Sequence, residues 1–276
     1  MIKFPLRRII NLFRPQMRQM RTFRDVLAKY DKGDFKGAYT SLCSVLKIQS
    51  QWSKDGDVYT LWAELELRVN NNPDKAQELL ARAHEIGCSE MGYYYNVYGT
   101  VMLRKNDCER AICYFEQSVD IDPSVPNLIM LAQAVSMVDD KRALSIWEQV
   151  LEKDSENCFA HVNIGWQAAR SGDRNKARTL AKKAETLRST AEDAAEIGRL
   201  YHELEEFQSA IDAYLEADKL GYEQKALIYA AIADCYSSLD QKSTARKYVQ
   251  RAMRQDPDND YVKDVWREYQ EKFEQR

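Results

Sequence analysis

The sequence predicts an all-α chain of stacked helical hairpins, and three observations predict it. Small residues recur in mid-helix as Gly99, Ala132, Gly165, Gly198 and Ala233, at separations of 33, 33, 33 and 35. A second series, Ala111, Ala143, Ala177, Ala210 and Ala245, follows the first by 11 or 12 positions. Apolar residues stand three and four apart over stretches of 12 to 16 residues, and only ten glycines and six prolines serve all 276 positions. That is the periodicity of amphipathic helices, and a fixed period near this length marks a repeat architecture. Two small residues on consecutive antiparallel helices, joined by a tight turn such as Ser171-Gly172-Asp173, let the backbones approach where larger side chains would hold them apart.

The units can be taken in order of clarity. Residues 95 to 123 place Tyr95, Tyr98, Gly99 and Met102 on a first helix, Ala111, Phe115 and Ser118 on a second, and Pro123 at the close. Ile197, Gly198, Tyr201, Ala210, Tyr214 and Ala217 repeat the pattern, as do Tyr229, Ile232, Ala233, Tyr236, Ala245, Val249, Ala252 and Pro257. His161, Ile164, Gly165, Ala168, Ala177, Ala181 and Ala184 give a fourth unit. The fifth, with Leu131, Ala132, Val135, Ala143, Trp147 and Val150, is one residue short between its helices. Toward the N-terminus, the segments from Asp34 to Ala38 and from Asn72 to Ala76 read as second-helix starts preceded by irregular first helices, giving two degenerate repeats.

This pattern resembles the tetratricopeptide repeat, whose 34-residue unit runs W-x2-L-G-x2-Y, then A-x3-F, then a closing proline. The resemblance covers about residues 22 to 258 and implies a right-handed superhelical solenoid. From Asn259 to Arg276, Tyr261, Val262, Val265, Trp266, Tyr269 and Phe273 fall on one side of a helix, as expected of a C-terminal cap over a solenoid's open end.

In the family the first helix of each pair lines the concave face, which implies a binding groove here. Residues four apart on a helix share a direction, so the expected partner-binding residues are Asn96 and Arg104, then Ile129, Gln133 and Met137, then Val162, Trp166 and Arg170, then Arg199 and Asp234. Trp166 directly follows Gly165, and a tryptophan facing a groove suits a binding hot spot, although a large aromatic suits a core equally. Arg104, Arg170 and Arg199 suit carboxylates through their planar forks, with a solvated face as the other reading. The family's carboxylate clamp of lysine, asparagine and arginine is absent, because Val162, Ala195 and Ala230 occupy places where polar clamp residues would stand.

Other function classes find little support. His84, His161 and His202 are scattered over different repeats with no cysteine or carboxylate at metal-ligand spacing, and no phosphate-loop, dinucleotide or zinc-protease motif occurs. No catalytic residue, cofactor or metal is expected. Six cysteines lie in helix-like segments without a CxxC pair, and Cys108 and Cys113 fall on different helix faces, which fits reduced apolar fillers.

Charge is divided unevenly. Residues 1 to 21 hold Lys3, Arg7, Arg8, Arg14, Arg18 and Arg21 and no acid, which leaves 34 basic against 43 acidic residues and a net charge of about −9 in the remainder. An acidic body argues against nucleic acid. In the first 14 residues, Ile2, Leu6, Ile9, Ile10 and Phe13 share a helical side while Arg7, Arg8 and Arg14 lie elsewhere. Three readings stand: an interfacial helix on an anionic membrane, a helix docked on protein, and a targeting segment. No run of 18 apolar residues occurs, so membrane contact would be peripheral. The expectation is a non-catalytic, cytoplasmic adaptor or assembly factor, held peripherally on a membrane's inner face in the first reading, whose groove takes a peptide or helix of a partner protein, acidic if the arginines bind it. The alternative is a permanent structural or regulatory subunit of a larger complex.

Overall fold

A computed structural model describes residues 21–48 and 55–274. The residues expected to form the membrane or docking helix, Ile2 to Phe13, lie outside that range. Among the described residues there are fifteen helices and no strand. They are α1 (Arg21–Asp31), α2 (Phe35–Ile48), α3 (Gly56–Val69), α4 (Pro73–Ile86), α5 (Met91–Arg104), α6 (Cys108–Ile121), α7 (Val125–Val135), α8 (Asp140–Lys153), α9 (Cys158–Arg170), α10 (Arg174–Leu187), α11 (Ala191–Glu203), α12 (Phe207–Lys219), α13 (Lys225–Ser238), α14 (Lys242–Gln255) and α15 (Asp260–Phe273).

Local chemistry sets the boundaries. Asn72, Asp107 and Asp173 each accept the backbone N–H three residues on, so that α4, α6 and α10 start on side-chain caps. Thr190 and Asp193 form a reciprocal capping box for α11. Between the two helices of a hairpin the chain turns through a residue with positive φ: Gly33, Asn71, Asn106, Gly172, Glu205 and Asp240. The hairpin of α7 and α8, the one the sequence shows to be a residue short, has no such residue and turns instead through Asp139 N–H donating to the Val135 carbonyl at 2.8 Å.

Unit 1, residues 1–146, and unit 2, residues 147–276, divide within α8. In unit 1, α1 packs on α2, α3 on α4 and α5 on α6; in unit 2, α9 packs on α10, α11 on α12 and α13 on α14. First helices also meet the first helices that follow them, α3 with α5, α5 with α7, α9 with α11 and α13 with α15. Each unit thereby builds a wall of first helices. The second small-residue series is fully buried, from Ala111 to Ala245. The first series behaves differently from expectation. A Cβ on Gly99 would lie 2.7 Å from the Phe115 ring, and one on Gly198 2.7 Å from the Tyr214 ring. At these two glycines the space is filled by an aromatic side chain of the second helix, not by its backbone, and at Gly165 it is filled by Leu200 of α11.

The degenerate N-terminal repeats also differ from their sequence reading. Phe35 and Pro73 do begin α2 and α4, but α1 and α3 are regular helices. Their apolar pattern is broken because α3 buries Asp57, Thr60, Glu64 and Glu66 as well as leucines, which hides a buried helix from a periodicity search. At the other end, Val262, Val265 and Tyr269 of α15 are buried, while Tyr261 is 40% exposed.

Candidate functional site

Each unit contains a cleft on its wall of first helices. In unit 2 the cleft has a volume of about 370 Å³ and is lined by Trp166 of α9, Arg199 and His202 of α11, Tyr214 of α12, Leu227, Ile228 and Ala231 of α13, and Tyr261 of α15. Trp166 is half-buried against the core, and the Arg170 guanidinium one turn on lies 5.7 Å from its ring centre. Arg199 Nη1 donates to Glu196 at 2.6 Å and Nη2 to the Tyr222 hydroxyl at 3.3 Å, which leaves further N–H groups of its five. His202 Nε2 is 3.0 Å from Asp234 Oδ2, and the His202 ring stands edge-on to Phe207.

In unit 1 a smaller cleft of about 180 Å³ runs over α3, α5 and α7, with Asn96, Arg104 and Gln133 on its wall and Met130, Leu67 and Val97 between them. Its floor is a buried polar network. Glu64 accepts from the Tyr30 hydroxyl at 2.5 Å, from Arg68 Nε at 2.7 Å and from the Tyr93 hydroxyl. Side-chain exposure is 9% for Arg68 and 7% for Glu64, and the Arg68 guanidinium sits 4.7 Å over the Phe35 ring. Burial opposes the Arg68 charge, but the adjacent carboxylate outweighs it and holds the pKa above arginine's ordinary value. Burial, with the Glu64 charge added, raises the Tyr30 and Tyr93 phenols well above theirs. The network joins three hairpins through α1, α3 and α5.

Of the residues expected on the groove, Trp166 and Arg199 line the unit 2 cleft, with Arg170 and Asp234 in contact with its walls. Asn96, Arg104 and Gln133 line the unit 1 cleft. Asn96 is buried there because its amide donates to Asn127 at 3.0 Å across to α7, and Arg104 donates to Asn71 at 2.9 Å. Ile129 and Val162 are buried in packing, and Met137 is 61% exposed in the turn after α7. The reasons are local: α7 ends at Val135, so Met137 falls beyond the helix, and Ile129 and Val162 turn into the packing, whereas on α5 Asn96, Thr100 and Arg104 all line the cleft. Sequence reasoning missed His202, Tyr214 and Tyr261. His202 stands three residues after Arg199 on the same helix face, a spacing that could have found it.

His161 is a packed residue whose Nε2 is 3.0 Å from the Ser155 carbonyl. All six cysteines are free, and burial pushes the Cys88 thiol up to about 11 and those of Cys158 and Cys235 up to about 12, the behaviour of unreactive fillers. Among the described residues no group of three His, Cys, Asp or Glu side chains is placed to hold a metal, and no helix is long and apolar enough to cross a membrane.

A family model described as a tetratricopeptide repeat matches residues 226–259, which is α13, α14 and the turn beyond. That stretch is a tetratricopeptide-type repeat. Solved structures share this all-α superhelical fold. A chain of the APC/C hetero-tetramer Cut9-Hcn1 matches with a TM-score of 0.71 at 13% identity, over 90% of this chain and 48% of that one. A tetratricopeptide repeat protein from Parabacteroides merdae matches with 0.66 at 13% identity over 90% of this chain and 97% of its own, and yeast Tom70 with 0.63 at 15% identity over 98% and 62%. The chain thus spans about half the length of the Cut9-Hcn1 chain it matches. No curated protein sequence matches it.

Proposed function

We propose that this protein is a non-catalytic adaptor or assembly factor whose unit 2 cleft takes a segment of a partner protein, a bulky apolar side chain lying against Trp166 and a carboxylate reaching Arg170 or Arg199. One observation carries the reading: groove residues chosen from the repeat register alone, Trp166, Arg170 and Arg199, lie in or against one cleft in unit 2. A half-buried tryptophan beside arginine is the composition of a binding hot spot. The unit 1 cleft, with amides and Arg104 on its wall, offers a second and more polar surface.

The test is to capture a partner with the full chain, map the bound segment, and measure its affinity for the parent and for Trp166→Ala. A loss of more than about 1 kcal/mol with an unchanged circular dichroism melt is expected. Unaltered affinity removes the cleft as the binding surface, and collapse of the fold returns Trp166 to the core.

The N-terminal segment is proposed to localise the protein on an anionic membrane, because Arg7 and Arg8 accompany the apolar side formed by Ile2, Leu6, Ile9 and Phe13, and its charge opposes that of the body. The full chain should bind anionic vesicles but not neutral ones, with release by salt and loss in Phe13→Glu. Equal binding to neutral vesicles, or none to either, argues against it.

A further inference from the structure

We propose that the unit 2 cleft binds its anionic ligand together with a proton, through His202. This inference rests on the cleft being a binding surface and adds how its charge is set. His202 lies on the cleft wall with Nε2 3.0 Å from Asp234 Oδ2. With the imidazole neutral, Arg199 and Arg170 face Glu196 and Asp234, with Glu203 exposed on the same helix, so the charged groups around His202 carry no positive excess. Protonation of His202 places a cation beside Asp234 and makes the cleft more positive by one charge. A carboxylate entering the cleft favours that state, so ligand and proton each strengthen the binding of the other.

The groups facing His202 leave this role to it. From α13 comes Asp234, and from α12 come Phe207 and the cleft residue Tyr214. From α15 comes Tyr261, and from α9 comes Trp166 with Arg170 on its ring. On its own helix are Arg199, Glu196 and the exposed Glu203. Beyond the end of that helix, Glu205 and Glu206 are paired to Arg174 and Arg178 of α10. Burial raises the Tyr214 and Tyr261 phenols, and Asp234 raises that of Tyr261 further, so both stay neutral at ordinary pH. Imidazole is the side chain whose charge changes between pH 5 and 8, and guanidinium does not titrate there.

The test uses two blocked dipeptides, acetyl-Phe-Glu-amide and acetyl-Phe-Gln-amide, titrated into the full chain from pH 5.5 to 8.0. The readout is the NMR resonance of the His202 ring, assigned by its absence in His202→Gln. The glutamate peptide should bind about five- to tenfold more weakly at pH 8.0 than at pH 5.5, in the range of ordinary linkage, and the glutamine peptide should show no such change. Saturation with the glutamate peptide should shift the His202 titration to higher pH. In His202→Gln the pH dependence should vanish, and in Asp234→Asn binding at pH 8.0 should strengthen. A pH-independent glutamate peptide, a dependence that survives in His202→Gln, or binding of neither peptide overturns the inference. If a captured partner still loses affinity through Trp166→Ala in those cases, the cleft remains the binding surface and only its proton coupling falls.

Discussion

Replacing Glu64 with alanine is expected to destabilise unit 1 by about 3–5 kcal/mol, the usual cost of leaving one member of a buried ion pair without its partner. Arg68 is nine-tenths buried and directs Nε and Nη2 at that carboxylate. The hydroxyls of Tyr30 and Tyr93 converge on the same group, so the substitution removes four donors' acceptor at once. Urea unfolding of the full chain measures the loss. Glu64→Ala with Arg68→Ala should cost less than the sum of the two single variants, because no lone charge remains buried. Tyr93→Phe should cost about 1 kcal/mol, one hydrogen bond's worth. Equal stability of Glu64→Ala and the parent would mean that the network is solvated and holds nothing together.

The same network sets an alkaline limit. Tyr30 and Tyr93 have folded pKa values raised above 10.0, the ordinary tyrosine value. Their contribution is therefore complete below pH about 10 and is lost as pH rises, since the unfolded chain releases these protons first. Stability should fall as pH rises above about 10, and fall less steeply in Tyr93→Phe.

That network was not legible in the sequence, and the reason is physical. A period search reads apolar faces, and α3 buries two glutamates among its leucines, so the helix looks irregular although its backbone is regular. The unit 2 cleft was partly legible. Trp166, Arg170 and Arg199 follow from register, because a residue next to a recurring glycine must sit on a known side of its helix. Spacing puts Tyr261 on the apolar face of the capping helix, and its place on the cleft depends on how α15 lies against α13, which no local pattern encodes. Spacing on its own helix gives His202 no partner, whereas its partner Asp234 is on α13. Contacts between hairpins are long-range in sequence and escape a reading made one helix at a time.

Gly56→Ala is expected to be the most damaging of the glycine substitutions, although Gly56 belongs to neither recurring series. A Cβ there would lie 2.5 Å from the Gly87 carbonyl oxygen and 2.6 Å from that of Ala83. Both atoms are backbone at the end of α4, so relief requires the two helices of the hairpin to separate. At Gly165 the nearest atom is a Leu200 methyl at 2.7 Å, the free end of a side chain that can rotate away. Gly198 is intermediate, since its nearest neighbour at 2.7 Å is the Tyr214 ring, a side chain but a bulky and buried one that lines the cleft. Overpacking costs about 1–3 kcal/mol, and occasionally more. The expected order of loss is Gly56→Ala first, Gly198→Ala second and Gly165→Ala last, with Gly56→Ala at or beyond the top of that range. Urea midpoints of the three full-length variants test it, and Gly198→Ala should also weaken partner binding in the unit 2 cleft by displacing Tyr214. If Gly56→Ala unfolds with the parent while Gly165→Ala does not, the tight approach lies in the periodic series after all, and the contact between α3 and the end of α4 is looser than 2.5 Å implies.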